Sequence, residues 1–320
     1  MKRFFHLRRL GIGAALWAFT TGVGHADYKQ AVMLYNQGNF DKAIQELKPD
    51  LDQNPDWEFG HRLVGLSYLS LKNNALAVSS LTRAVQLKST SFSTYQGLGQ
   101  AHFNMQRFDN CIQTLNQGEQ FAKSEDDKYK LHHLRGSAYH RMEKYSEAAS
   151  ELTNAIRIKG NDWADYSQLG IACYHLNRHD DAIQALQKAL ALKPGHTATM
   201  EYIAKSYFKK GVAALSAKQY DQAIDLFGKA RENNPKDGFI YYNLGEAYLF
   251  KNNTAEAEKS FSRALELMPK SAEVFQRMGL VYEKQKKWDL ALNAYKKAYD
   301  LKASPGLKES IDRVTENKKR

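Results

Sequence analysis

Residues 238–271 read GFIYYNLGEAYLFKNNTAEAEKSFSRALELMPKS, and the same phrase recurs in phase through most of the chain. Here Gly245 stands twelve residues before Ala257, and Ala264 follows seven residues later. Gly65, Gly99, Gly136, Gly170, Gly211 and Gly279 open the same phrase, with first partners Ala77, Cys111, Ala148, Ala182, Ala223 and Ala291. The second partners are Ala84, Gly118, Ala155, Ala189, Ala230 and Ala298. Successive glycines lie 34, 37, 34, 41, 34 and 34 residues apart. A unit near 34 residues copied along a chain marks a solenoid, whose function is read from a surface rather than from one catalytic pocket.

With the glycine at position 8, eight repeats follow: 24–57, 58–91, 92–128, 129–162, 163–196, 197–237, 238–271 and 272–305. Positions 4, 7, 8 and 11 have helical spacing and form one stripe; positions 20, 24 and 27 form another on a second helix. Small residues at 8, 20 and 27 let the two helices approach closely. The seventh repeat carries Tyr241, Leu244, Gly245, Tyr248, Ala257, Phe261, Ala264 and Pro269 at the patterned positions. The fifth carries Tyr166, Leu169, Gly170, Cys173, Ala182, Leu186, Ala189 and Pro194. This pattern resembles the tetratricopeptide repeat family. The resemblance implies an all-α, right-handed α-solenoid of about eight helix-turn-helix units, ended by a C-terminal capping helix. Residues 27–305 would form the array, and 306–320 the capping helix and a basic tail.

The N-terminus reads as a secretory leader. MKRFFHLRR precedes an apolar run from Leu10 to Val23, and Gly24-His25-Ala26 supplies small residues for cleavage after Ala26. The run is shorter than the roughly 20 residues of a spanning helix. A retained anchor is the alternative, and after cleavage no stable membrane insertion is expected. The mature chain would be periplasmic or secreted. The formal charge of +11 falls to +7 once Lys2, Arg3, Arg8 and Arg9 are removed with the leader, too modest a basic excess to imply a nucleic-acid partner. Cys111 and Cys173 fall in different repeats at core positions, so two buried free thiols are expected.

Three places break the rhythm. Ala31 replaces the glycine in the first repeat, as suits an end unit. Three extra residues around 123–128 suggest a solvated loop. The sixth repeat is seven residues longer, and its first helix fits the pattern in two registers: Met200, Ile203, Ala204, Tyr207, then Tyr207, Lys210, Gly211, Ala214. Seven residues are nearly two turns, so one helix near Thr197–Ser216 is expected. Its extra length is either packed locally or offered to a partner or to a second copy of the chain.

No Gly-rich phosphate loop, HExxH, CxxC pair or G-x-S-x-G elbow is present, so no catalytic site, cofactor or metal is assigned. His132, His133, His140, His175 and His179 lack ligands at chelating intervals and read as surface or groove residues. The resemblance instead points to the face lined by the first helices, near positions 2, 5, 9, 12 and 13. There the candidate partner-binding residues are Arg62, Gln96, Gln100, Asn104, His133, His140, Arg141, Tyr174, Phe208, Phe239, Tyr242 and Phe250. The lysine pair with which some family members clamp a C-terminal carboxylate is absent. The expectation is a non-enzymatic scaffold of the bacterial envelope that holds a peptide or protein segment in this groove. The alternative is an accessory subunit of a secretion, polysaccharide-export or surface-assembly machine that uses convex or edge surfaces.

Overall fold

A computed structural model describes residues 28–319; the leader and its cleavage site lie outside them. The described residues contain α-helices, one short 3-10 turn and no strand. Two compact bodies divide between Lys159 and Gly160. The N-terminal body runs α1 (Tyr28–Asn36), α2 (Phe40–Gln53), α3 (Glu58–Ser70), α4 (Asn74–Gln86), α5 (Phe92–Asn104), α6 (Phe108–Gly118), α7 (Glu125–Arg141) and α8 (Tyr145–Ile158). The C-terminal body runs α9 (Trp163–His175), α10 (His179–Leu192), α11 (Thr197–Ser216), α12 (Tyr220–Asn233), α13 (Gly238–Phe250), α14 (Thr254–Leu267), α15 (Ala272–Lys284), α16 (Trp288–Leu301) and α17 (Pro305–Lys319). Odd-numbered helices are the first helices of their repeats, and each packs on the helix that follows it. The chain thus has the all-α architecture of a tandem helix-pair solenoid.

The sequence dictates the hairpin through two devices. Position 8 lies against position 24 of the partner helix, where a Cβ on Gly245 would fall 2.7 Å from Phe261 Cε1. Any side chain there forces the helices apart. The turn is set at position 15, which is left-handed in every repeat: Gly38, Lys72, Gln106, Glu143, Asn177, Lys218, Asn252 and Lys286 all have φ between 58° and 80°. The paired bonds Lys72 N–H to Leu69 C=O and Asn73 N–H to Tyr68 C=O close the helix end around it, at 2.9 and 2.8 Å.

A second set of contacts joins α11, α13 and α17 to the preceding repeat. The lysine at position 14 reaches the aspartate at position 18 one repeat earlier: Lys210 to Asp180, Lys251 to Asp221 and Lys318 to Asp289. The last of these shows α17 docking as a first helix without a second. Leu307 and Val314 are buried, and Arg313 holds Glu283 through two bonds of 2.8 and 3.0 Å. Polar Lys308, Asp312 and Thr315 stand on the other side of α17.

The long helix of the sixth repeat is present as Thr197–Ser216, and both of its registers are used. Ile203, with Tyr202 and Tyr207, joins the core of Cys173, Ala182 and Leu186. Ala214, with Phe208, Val212 and Leu215, joins the core of α12 and α13 around Phe227 and Leu244. The extra two turns are therefore consumed by stacking on both neighbours. The insertion at 123–128 corrects an expectation in its extent: only Lys123 and Ser124 are irregular and exposed, because α7 begins at Glu125. Ser124 and Asp127 form a reciprocal capping box, and Glu125, Asp126 and Asp127 sit in the first turn, where the helix dipole favours acids. Both cysteines are buried free thiols, and burial pushes Cys111 up to about 12.

Candidate protein-interaction surface

In the N-terminal body the first helices α1, α3, α5 and α7 are successive neighbours, and in the C-terminal body so are α9, α11 and α13. Each row presents positions 2, 5, 6, 9, 12 and 13 of its repeats on one face. Much of that face is already engaged in holding repeats together. Position 13 reaches position 17 of the preceding repeat: Asn104 donates to Asn74 at 3.0 Å, Arg141 lies 6.0 Å over the Phe108 ring, and Phe250 stacks on Tyr220 at 5.5 Å. Position 12 meets position 17 of its own repeat across the turn, as His140 does with Tyr145 and Tyr174 with His179, at 6.0 and 5.6 Å. Asn104, His140, Arg141, Tyr174 and Phe250 thus sit at the seams where turns close and repeats join.

The other predicted residues lie nearer the middle of their helices. Arg62 is held by Glu58 at 3.2 Å and covers the Phe59 ring at 4.9 Å. Gln100 donates to Asn104 at 2.9 Å along α5, and Gln96 is half-buried beside it. His133 lies against Tyr129 in α7, ring centroids 5.6 Å apart. The polar residues of the N-terminal row are therefore drawn into one another. His132 takes neither a surface nor a groove place. Its Nδ1 lies 2.7 Å from Glu151 Oε2, and Arg135, itself buried, grips the other Glu151 oxygen at 3.0 Å and Glu119 at 2.9 Å. Burial alone would raise the Glu151 carboxyl, but the His132 bond and the Arg135 charge hold it below the usual range.

The C-terminal row is aromatic. Phe208 packs on Phe227 at 5.7 Å and Tyr242 on Phe261 at 5.8 Å, and both are half-buried. Phe239, at the start of α13, is 63% exposed and lines an open cleft of about 430 Å³ with Met268, Pro269, Lys270, Ser271 and Glu273. One turn further along, Arg277 of α15 faces α13. Its Nε is 2.9 Å from Glu246 Oε1. Glu246 is only 7% exposed, and its Oε1 has no aligned hydrogen bond, so its charge is balanced by proximity alone. Burial pushes its carboxyl up, with Arg277 drawing it part of the way back. Arg277 was not among the sequence candidates, because position 6 is usually spent on packing. The available clue was Glu246 itself, an acid in a row that otherwise reads Val32, Leu66, Gln100, Ser137, Ile171, Val212 and Leu280.

Family models described as tetratricopeptide repeats match residues 129–162, 164–196, 214–279 and 272–305. The chain is similar to the peroxisomal targeting signal receptor of Kluyveromyces lactis, 26% identical over 155 residues that make up 48% of this chain and 27% of that protein. The match thus spans about a quarter of that relative's length. Among solved structures, the C-terminal part of a TPR repeat-containing protein from Cytophaga hutchinsonii overlaps 89% of this chain and 99% of its own, with a TM-score of 0.50 at 14% identity. That likeness concerns the fold alone. MamA from Desulfovibrio magneticus RS-1 is 26% identical over 56% of this chain and 97% of its own, with a TM-score of 0.40.

Proposed function

This chain is a tetratricopeptide repeat protein, and we propose that it is a protein-interaction scaffold, a non-enzymatic adaptor that holds a segment of another protein on its first-helix face. The observation that carries the reading is the aromatic row of the C-terminal body. Phe239 is largely exposed, and Phe208 and Tyr242 are half-buried rings on the same row of first helices. Large, rigid side chains of this kind supply most of the energy at protein interfaces. The basic, apolar and small-residue order of residues 1–26 supports an envelope setting, periplasmic or secreted.

A convex-surface reading rests on one feature. The outer side of α6 lines an open cleft of about 510 Å³ with Asp109, Ile112, Gln113, Asn116 and Gln117, closed by Tyr139 and Lys144. A complex isolated from the native source separates the two. Phe208→Ser with Tyr242→Ala should abolish co-purification while Gln113→Ala with Asn116→Ala preserves it; the reverse outcome would assign function to the outer face.

A further inference from the structure

We infer that the face between α13 and α15 selects a partner segment carrying a carboxylate two or three residues from a large apolar side chain. This rests on the adaptor reading and names the chemistry of its ligand. Among the row-9 side chains of the repeats, only Glu246 is an acid, and it is buried. An acid taken out of water costs stability unless a cation accompanies it. Arg277 is that cation, and its Nε edge is turned to Glu246 at 2.9 Å. Its side chain is nonetheless 38% exposed. A guanidinium has five N–H donors, and one such contact leaves others for the solvent side. A partly exposed arginine with paired donors to spare is matched by a carboxylate.

The apolar requirement comes from the same two helices. Phe239 precedes Glu246 by about two turns on α13, and Glu273 precedes Arg277 by about one turn on α15. The cleft of Phe239, Met268 and Pro269 therefore opens at the end of the groove that leads to Arg277. One to two turns is about 6–10 Å, which an extended chain covers in two or three residues at roughly 3.3 Å each. The cleft itself carries one charge of each sign, Lys270 and Glu273, so the preference for a carboxylate rests on Arg277.

The test is phage display of random dodecapeptides against the full chain, followed by fluorescence anisotropy with the most enriched peptide synthesised and labelled. The expected consensus places Asp or Glu two or three residues from Leu, Ile, Met, Phe or Trp. Replacing that acid by its amide should weaken binding about 10-fold or more to the wild-type chain, the worth of a hydrogen bond to a charged group. The penalty should shrink below about 2-fold with Arg277→Gln. Because Arg277→Gln strands Glu246, the neutral pair Glu246→Gln with Arg277→Gln is run beside it, with circular dichroism to confirm folding. An enriched peptide without an acid, or an acid-to-amide penalty that survives in the neutral pair, overturns the inference. If such an acid-free peptide is still lost with Phe208→Ser and Tyr242→Ala, the adaptor reading stands alone. If no peptide is enriched, or binding ignores those two substitutions, both fail.

Discussion

Gly245→Ala puts the hairpin geometry to a quantitative test. The added Cβ would lie 2.7–2.8 Å from three atoms of the Phe261 ring. Carbon contacts are comfortable near 3.5–4.0 Å, so the ring must retreat by about 0.7 Å or more. Phe261 is fully buried and packed against Tyr242, which leaves it no free direction. Overpacking of this kind costs about 1–3 kcal/mol, and alanine returns roughly 1 kcal/mol of helix propensity. The net range is a loss of about 0–2 kcal/mol, and the absence of a free direction for Phe261 puts the expectation toward its upper end. Gly99→Ala is the internal control. Its Cβ would meet Leu115 at 3.1 Å, a conflict that a few tenths of an ångström relieve, so propensity and crowding should nearly cancel. Urea unfolding by circular dichroism gives the midpoints. Hydrogen exchange locates the loss, which in a repeat array should centre on α13 and α14. Equal destabilisation by the two substitutions, or none by Gly245→Ala, would refute the reasoning.

The remaining expectations concern turns, protons and thiols. Lys286→Gly should raise the unfolding midpoint by up to ~1 kcal/mol, because a Cβ at positive φ costs about 1–2 kcal/mol and glycine's freer unfolded chain returns part of it. Gly38→Ala should do the opposite. The two acid clusters should respond to pH with opposite signs, read by hydrogen exchange in each body. Glu151 titrates below its usual value when folded, so its stabilisation is present above about pH 4.5 and is lost as pH falls through the lowered folded value. Glu151→Gln should remove that acid-side loss from α7 and α8. Glu246 titrates above its usual value, so protecting α13 should become easier as pH falls through the raised value, an effect complete below about 4.5 and absent in Glu246→Gln. Cys111 should label with native-state thiol reagents only as fast as its repeat opens, since it is fully buried and its thiol is held protonated.

The fold was legible because each repeat states the same constraint. Gly245, Ala257 and Phe261 fix one helix pair, and their counterparts fix the next, so local errors do not accumulate. The same redundancy revealed the long α11: two overlapping registers in one helix could only be satisfied by neighbours on both sides. The insertion before α7 was misjudged in its extent because polar residues read as a loop, although Ser124 and Asp127 spell a helix cap. The interaction face was harder to read. Position 13 looked free in sequence, yet Asn104, Arg141 and Phe250 each reach back to the preceding repeat, a contact thirty-odd residues away that periodicity within one helix does not announce. Arg277 was missed for the complementary reason: only the packing of α15 against α13 shows that it answers the buried Glu246.

The most direct test of the adaptor role is site-specific photocrosslinking in the native cell. A benzophenone side chain would be placed at Phe208 or Tyr242 on the first-helix face, and at Gln113 or Lys229 on outer faces. A discrete protein adduct is expected from Phe208 and Tyr242 and none from Gln113 and Lys229. Adducts from the outer positions alone would contradict it.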